Sequence, residues 1–184
     1  NVGAKLIQIS TDGVFSGNRG NYTEEDLPNP VDFYSITKLL GEVIHTPHLT
    51  IRTSIIGTVL GTTQGLLEWV LSQKGTIEGY SQAFFSGITT LELSRIVLQL
   101  IELNAVSGLL HVGSERIDKY SLLLMIKDVF RKHDVEIKKN TTVSYDRSLN
   151  LSKLKRFGLH PKPLKEQISE LWQFKLGNHE QKKI

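Results

Sequence analysis

The sequence predicts an α/β protein, and three observations carry that reading. Short, apolar, β-branched runs alternate with stretches whose apolar residues recur at helical spacing. The first run, Lys5-Leu6-Ile7-Gln8-Ile9, has the character of a strand buried in a parallel sheet. It leads straight into Ser10-Thr11-Asp12, a polar triplet at the carboxyl end of a strand, where open α/β sheets place their ligands. With 184 residues, the chain is long enough to bury a substantial core.

The elements follow in order. After the first strand, the loop from Ser16 to Pro30 is rich in Gly, Asn, Asp and Pro and long enough to be functional. The pattern then predicts a helix from Phe33 to about Ile44, with Asp32 as its N-cap and Pro47 beyond its end. Leu49 to Thr53 reads as the next strand, followed by Ser54-Ile55-Ile56-Gly57. Gly61 to Gly65 reads as a turn before an amphipathic helix, Leu66 to Ser72. Leu93, Ile96, Val97, Leu100 and Ile101 recur at helical spacing and predict a helix over Leu91 to Leu103. Gly108 to Gly113 is a short strand between glycines, Tyr120 to Lys132 an amphipathic helix, and Leu164 to Phe174 the closing helix. There is no internal repeat and no low-complexity stretch.

Composition excludes several classes. A hydrophobic content of 39% and an aromatic content of 8% are ordinary for a globular protein. The absence of cysteine rules out disulfides, thiolate metal sites and a Cys nucleophile. No apolar run approaches a membrane span and no signal peptide opens the sequence, so the expectation is a cytoplasmic protein with no membrane partner. Net charge is +3, but residues 1–118 carry 7 Lys+Arg against 12 Asp+Glu, and residues 119–184 carry 15 against 7. That basic part could attract an anion such as a nucleotide diphosphate, or could be a solvated helical surface with a frayed tail from Asn178 to Ile184. Aromatics are not interleaved with the basic residues, which argues against nucleic acid. His45 and His48 lack a third ligand of suitable spacing, and the Glu24-Glu25-Asp26 run reads as a solvated loop, so no metal site is expected.

The chemistry lies in Tyr34 and Lys38. Four residues apart on a helix, they share one face, about one turn from each other. An ammonium beside a phenol favours the phenolate, and a tyrosine so placed can pass a proton to or from a carbonyl oxygen. Thr11, at the end of the adjoining strand, could hold the same oxygen with its hydroxyl. The bland alternative is a surface helix with a solvated Lys and a half-buried Tyr.

The wider segment decides between them. Ile9-Ser10-Thr11-Asp12, Val14-Phe15, Gly17, Tyr22, Glu24-Glu25-Asp26, Pro28, Pro30, Tyr34, Thr37-Lys38, Leu40-Gly41-Glu42 and Arg52-Thr53-Ser54 together resemble the extended short-chain dehydrogenase/reductase superfamily. More narrowly, the segment is similar to the dTDP-4-dehydrorhamnose reductase group of sugar-nucleotide reductases. The resemblance implies the C-terminal part of a Rossmann-like doubly wound parallel sheet plus a small, mostly helical substrate-binding region. Residues 1–60 would be the second half of the NAD(P)-binding domain, its first half not included. Residues 61–184 would be mainly the substrate region, with some elements returning to the sheet.

The same resemblance implies NADPH or NADH as cofactor and a nucleotide-linked 4-keto-6-deoxy sugar as substrate, with a homodimer compatible with it. Thr11, Tyr34 and Lys38 would be catalytic. Ser10, Tyr34, Lys38, Thr53 and Ser54 would contact the cofactor. Thr11, Asp12, Val14, Phe15, Trp69 and Arg147 would contact the substrate. A Trp at helical spacing such as Trp69 is, however, more often simply core. Asp146 to Leu154 looks like the C-terminal signature of these reductases, where a short helix follows a loop over the substrate nucleotide. There Arg147 is the candidate diphosphate contact, against a plain ion pair with Asp146 or another acid. Gly13 departs from the group, which carries a larger aromatic residue there, and Phe33 and Ser35 are also less typical; the loss at 13 could widen the pocket or alter its sugar preference. A nucleotide-sugar epimerase or dehydratase and a non-catalytic subunit that keeps the reductase fold are the alternatives.

Overall fold

The structure, a computed structural model, describes residues 3–58 and 65–181, with side chains as far as residue 176. Most of the turn expected at Gly61 to Gly65, and the last three residues of the basic tail, lie outside the described residues.

The first sheet is parallel and centres on β2 (Leu49–Ile56). On one side β2 pairs with β1 (Ile7–Thr11), from Ile7↔Leu49 to Thr11↔Thr53. It also pairs with β5 (Gly108–His111), and its C-terminal end pairs with β4 (Gly87–Thr89). Leu49 and Ile51 are fully buried on β2 and meet Ile96 and Leu100 of α3 (Thr90–Leu103) in one core. Each such side chain contributes about 2–3 kcal/mol relative to an exposed one. Thr89 caps α3 by accepting from the Glu92 N–H, as its place before the apolar repeat would suggest.

The first helix, α1 (Phe33–Leu40), begins where Asp32 accepts from the Ser35 N–H. It stops four residues short of the expected Ile44. Gly41 closes it, its N–H reaching the carbonyls of Thr37 and Lys38, and the Thr50 hydroxyl then takes both the N–H and the carbonyl of Val43. Those bonds hold the backbone beyond Gly41 out of the helix.

The second half of the chain holds, beside its helices, an element the sequence reading did not contain: a three-stranded sheet of β3 (Gly75–Phe85), β6 (Ile117–Asp118) and β7 (Val135–Asp146), ordered β6-β3-β7. β3 and β7 run parallel, from Gly75↔Val135 to Phe84↔Asp146, with an irregularity between Tyr80 and Gln82. Ile77, Phe85, Val135 and Ile137 point from this sheet into a core shared with α2 (Leu66–Ser72), α4 (Lys119–Val129) and α6 (Leu164–Gln181). Gln167 of α6, fully buried, ties the two halves: its side chain accepts from the Thr89 N–H and donates to Ser114 Oγ and the Lys162 carbonyl. α5 (Ser152–Arg156) is the short helix expected to follow the loop of the Asp146–Leu154 signature, and it begins within that segment. No described helix is long and apolar enough to cross a membrane.

Candidate functional site

The site is built at the carboxyl end of β1. Thr11 and Asp12 are buried there, and the chain turns at once into a 3-10 turn, Asp12–Val14. Thr11 Oγ1 donates to Asp12 Oδ1 at 3.3 Å and accepts from the Gly13 N–H at 3.1 Å. The threonine hydroxyl is thus held pointing along the corner. It can turn its proton to another acceptor by giving up only the longer bond.

Helix α1 packs against β1 and against this turn. Two contacts fix it. Lys38 Nζ donates to the Ile9 carbonyl of β1 at 2.5 Å. Ser35 lies so close to Gly13 that a Cβ at position 13 would stand 2.5 Å from Ser35 Oγ. Tyr34, the neighbour of Ser35, is 63% exposed and one turn before Lys38. Lys38 and Ser35 are thus fixed against the end of β1 that carries Thr11, and Tyr34 is an exposed phenol on the same helix, one turn before Lys38.

The Gly13 contact corrects one expectation. The volume freed by the missing side chain does not widen a pocket, because Ser35 fills it. Ser35 is 1% exposed, and its hydroxyl donates to Asp32 Oδ2 at 3.0 Å. The two unusual residues, Gly13 and Ser35, compensate each other.

Val14 and Phe15, expected at the substrate, are a second correction. Both are fully buried and belong to a small core with Tyr22 and Leu149. The Phe15 ring stacks on Tyr22 at 4.1 Å, meets His111 edge-on at 5.8 Å, and has the Arg52 guanidinium over it at 5.1 Å. Neither side chain can reach a ligand. Ser10, expected at the cofactor, is likewise committed elsewhere: it is 3% exposed and its hydroxyl donates to Glu42 Oε1 at 2.7 Å. Glu42 in turn holds Arg52 in a buried bidentate pair, with bonds of 2.8 and 2.7 Å. This agrees with the structural role expected for Arg52. The acidic loop is also used internally. Glu24 accepts the His111 N–H, and Asp26, paired with Arg19 and Thr23, is held down at about 2, first by the Arg19 hydrogen bond. His48 Nδ1 accepts the Leu6 N–H.

Thr53 tells the other way. It lies opposite Thr11 in the β1–β2 register, is 2% exposed, and its hydroxyl has no hydrogen-bond partner. A buried orphan hydroxyl costs about 1–3 kcal/mol, so this atom fits a ligand that supplies the missing bond. Ser54, half-buried, is next along the strand and pairs with Gly87 of β4.

On the second sheet, Trp69 lines a cavity of about 230 Å³ with Leu66, Glu78, Tyr80, Lys119, Leu123 and Tyr145. Arg147 stands over the Tyr145 ring at 5.1 Å, and its buried Nε has no partner. Asp146, one of the acids expected as its rival partner, pairs with Arg116 instead. Burial raises the Asp12 carboxyl above its ordinary value, against the opposing pull of Lys119 and Arg147. Burial also lowers the Lys119 ammonium, with Asp12 pulling the other way. Asp12, Lys119, Tyr145 and Arg147 thus form one electrostatic group joining the β1 corner to the aromatic cavity. Lys119 was not among the residues singled out from the sequence. The signal was present: a lysine at the first position of a helix opposes the helix dipole and calls for another reason.

A nucleotide-sugar reductase fold of the Rossmann-like type accounts for this arrangement of parallel sheet, Tyr-Lys helix and strand-end threonine. The chain belongs to the RmlD substrate binding domain family, which it matches over residues 1–171. Among curated proteins it is similar to methionine adenosyltransferase 2 subunit beta of Mus musculus, 28% identical over 198 residues, covering 94% of this chain and 59% of that protein. Among solved structures it resembles a hypothetical dTDP-4-dehydrorhamnose reductase from Sulfolobus tokodaii, with 33% identity, a TM-score of 0.72, and coverage of 86% of this chain and 60% of that one. The reductase from Bacillus anthracis in complex with NADP, 22% identical, shares the fold with a TM-score of 0.78, covering 94% of this chain and 66% of that one. The chain spans about three-fifths of the length of the curated relatives it matches.

Proposed function

We propose that the protein is an NAD(P)H-dependent reductase of a nucleotide-linked 4-keto-6-deoxy sugar. The observation that carries this reading is the corner itself. Lys38 is bonded to the Ile9 carbonyl, Ser35 is pressed on Gly13, and Tyr34 stands open one turn from Lys38. A phenol donor, a fixed cation and a threonine hydroxyl at one strand end suit protonation of a carbonyl oxygen.

In this reading Tyr34 donates its proton to the sugar carbonyl oxygen, and Lys38 stabilises the phenolate left behind. Thr11 turns its hydroxyl from Asp12 to the same oxygen and orients it. Thr53 and Ser54 contact the cofactor in this reading, and the orphan hydroxyl of Thr53 supports that role. The nicotinamide, when bound, supplies the hydride for the carbonyl carbon. Arg147 holds the substrate diphosphate, and Trp69 walls the substrate cavity. The relatives in complex with NADP and named as dTDP-4-dehydrorhamnose reductases support the cofactor and substrate class.

The test is NADPH consumption with a dTDP-4-keto-6-deoxy sugar. We expect stoichiometric oxidation of NADPH, and Tyr34→Phe should lower turnover at least 1,000-fold while NADPH affinity changes less than threefold. Full activity in that variant removes Tyr34 as the acid. Epimerisation or dehydration would leave NADPH unconsumed.

A second reading is favoured by the curated relatives, which are named as a subunit of methionine adenosyltransferase 2. Under it, the fold serves as a non-catalytic subunit of a partner enzyme. Stoichiometric copurification of a partner, with no NADPH consumption on any keto sugar, would favour this reading over the first.

A further inference from the structure

We propose that Glu42 is a positioning residue for proton transfer: held by Arg52 and bonded to Ser10, it fixes Lys38 and Thr11 relative to each other. The inference rests on the reading that Tyr34, Lys38 and Thr11 protonate a carbonyl oxygen. It adds to that reading a residue that acts only through others.

The placement of Glu42 carries the argument. It lies two residues beyond α1, and its N–H donates to the Leu39 carbonyl at 3.1 Å, so the closing turn brings it round to the strand. Its side chain is buried and uses both carboxylate oxygens. Oε1 accepts from Ser10 Oγ at 2.7 Å and from Arg52 Nε at 2.8 Å, and Oε2 accepts from Arg52 Nη2 at 2.7 Å. Ser10 and Arg52 are partners in the β1–β2 register. One carboxylate therefore joins the segment after α1 to both strands at the same level of the sheet.

That level lies one residue behind the proposed reacting groups. The next pair in the register is Thr11 with Thr53. The residue before Ser10 is Ile9, whose carbonyl receives Lys38 Nζ. The chain that follows Tyr34 thus grips β1 twice, through Lys38 at Ile9 and through Glu42 at Ser10. Lys38 alone, on a flexible four-carbon stem, leaves the helix free to turn against the strand. The second bond, four residues further on, removes that freedom. A displacement of about 1 Å at a reacting group can cost on the order of 100-fold in rate, so this freedom matters to turnover.

A buried ion pair is a weak source of stability, because desolvation offsets much of its attraction and packed apolar side chains often serve as well. What apolar side chains do not supply is direction, here three hydrogen bonds around Ser10. The experiment separates the two. It compares the wild type with the double variant Arg52→Met, Glu42→Leu and with Ser10→Ala, which removes only the link to β1 and keeps the ion pair whole. NADPH turnover of a dTDP-4-keto-6-deoxy sugar gives kcat per folded molecule and KM, with folding followed by circular dichroism. Acetylation of lysines by an N-hydroxysuccinimide ester, located by peptide mass spectrometry, reports how firmly Lys38 is held. Lys5, bonded to the carbonyls of Asn104 and Val106, is the internal reference.

We expect kcat to fall at least tenfold in the double variant and at least threefold in Ser10→Ala, with KM for the sugar changed less than threefold. Lys38 should acetylate at least three times faster, relative to Lys5, in both. A folded double variant with wild-type kcat overturns the proposal, as does unchanged Lys38 acetylation or a rise in KM alone. Should the double variant not fold, Ser10→Ala makes the same comparison, and wild-type kcat there overturns it equally. A wild type that consumes no NADPH sinks the reductase reading alone, and acetylation then decides whether Glu42 holds Lys38 in place.

Discussion

At Gly13 the chain has exchanged one side chain for another across a helix–turn contact. A Cβ there would meet Ser35 Oγ at 2.5 Å and Thr11 Oγ1 at 3.3 Å. Gly13→Ala should therefore cost about 1–3 kcal/mol, from overpacking and a disturbed Ser35–Asp32 bond. Ser35→Gly in the same chain should recover much of that loss, because the clashing oxygen is gone. Urea denaturation of the two single variants and the double variant measures the coupling, and additive losses would contradict it. The residues that carry the proposed chemistry were legible at this scale because their signals are local: Tyr34 and Lys38 share a helix face, and Thr11 ends a strand. Val14 and Phe15 were not, because their burial depends on Tyr22 and Leu149, brought in from a loop and from the far end of the chain.

Between elements, the Glu42–Arg52 pair fastens the segment after α1 to the centre of β2. Both side chains are almost fully buried, at 6% and 3% exposure. Removing one partner leaves the other charged and unpaired in the interior, so Arg52→Met should cost about 3–5 kcal/mol. The double variant Arg52→Met with Glu42→Leu should be less damaging than that single change. Chemical denaturation decides it, and a double variant worse than both singles would show that the pair is not acting as a unit. Helices and the strands of the first sheet were readable because their apolar residues repeat within a short window. β3 and β7 escaped because their buried positions include small or interrupted residues, Gly79 and Ala83 among them, and their pairing joins segments some 60 residues apart. Lys138, Lys139 and Asn140 give β7 the look of a solvated stretch, yet they sit in register with Glu78, Gly79 and Tyr80.

For the whole molecule, His111 makes stability depend on pH. Burial, helped by Arg52, lowers it from 6.5 to about 3, so the folded protein keeps it neutral. Between those values the unfolded chain binds a proton that the folded one does not, and stability rises with pH. Acidifying from pH 7 to pH 5 should lower the urea midpoint, with the full effect reaching several kcal/mol nearer pH 3. In His111→Gln this part of the pH dependence should vanish; an unchanged slope would assign it to other groups. The parallel pairing of β3 with β7 has a consequence for the protein as it is made. β3 leaves the ribosome complete at Phe85, and its long partner is finished only at Asp146. At ordinary synthesis rates of about 5–20 residues per second, that leaves β3 waiting roughly 3–12 s beside nascent chain. Until then the edge that β7 will cover is unpaired, and Glu78 is the one charged side chain along β3.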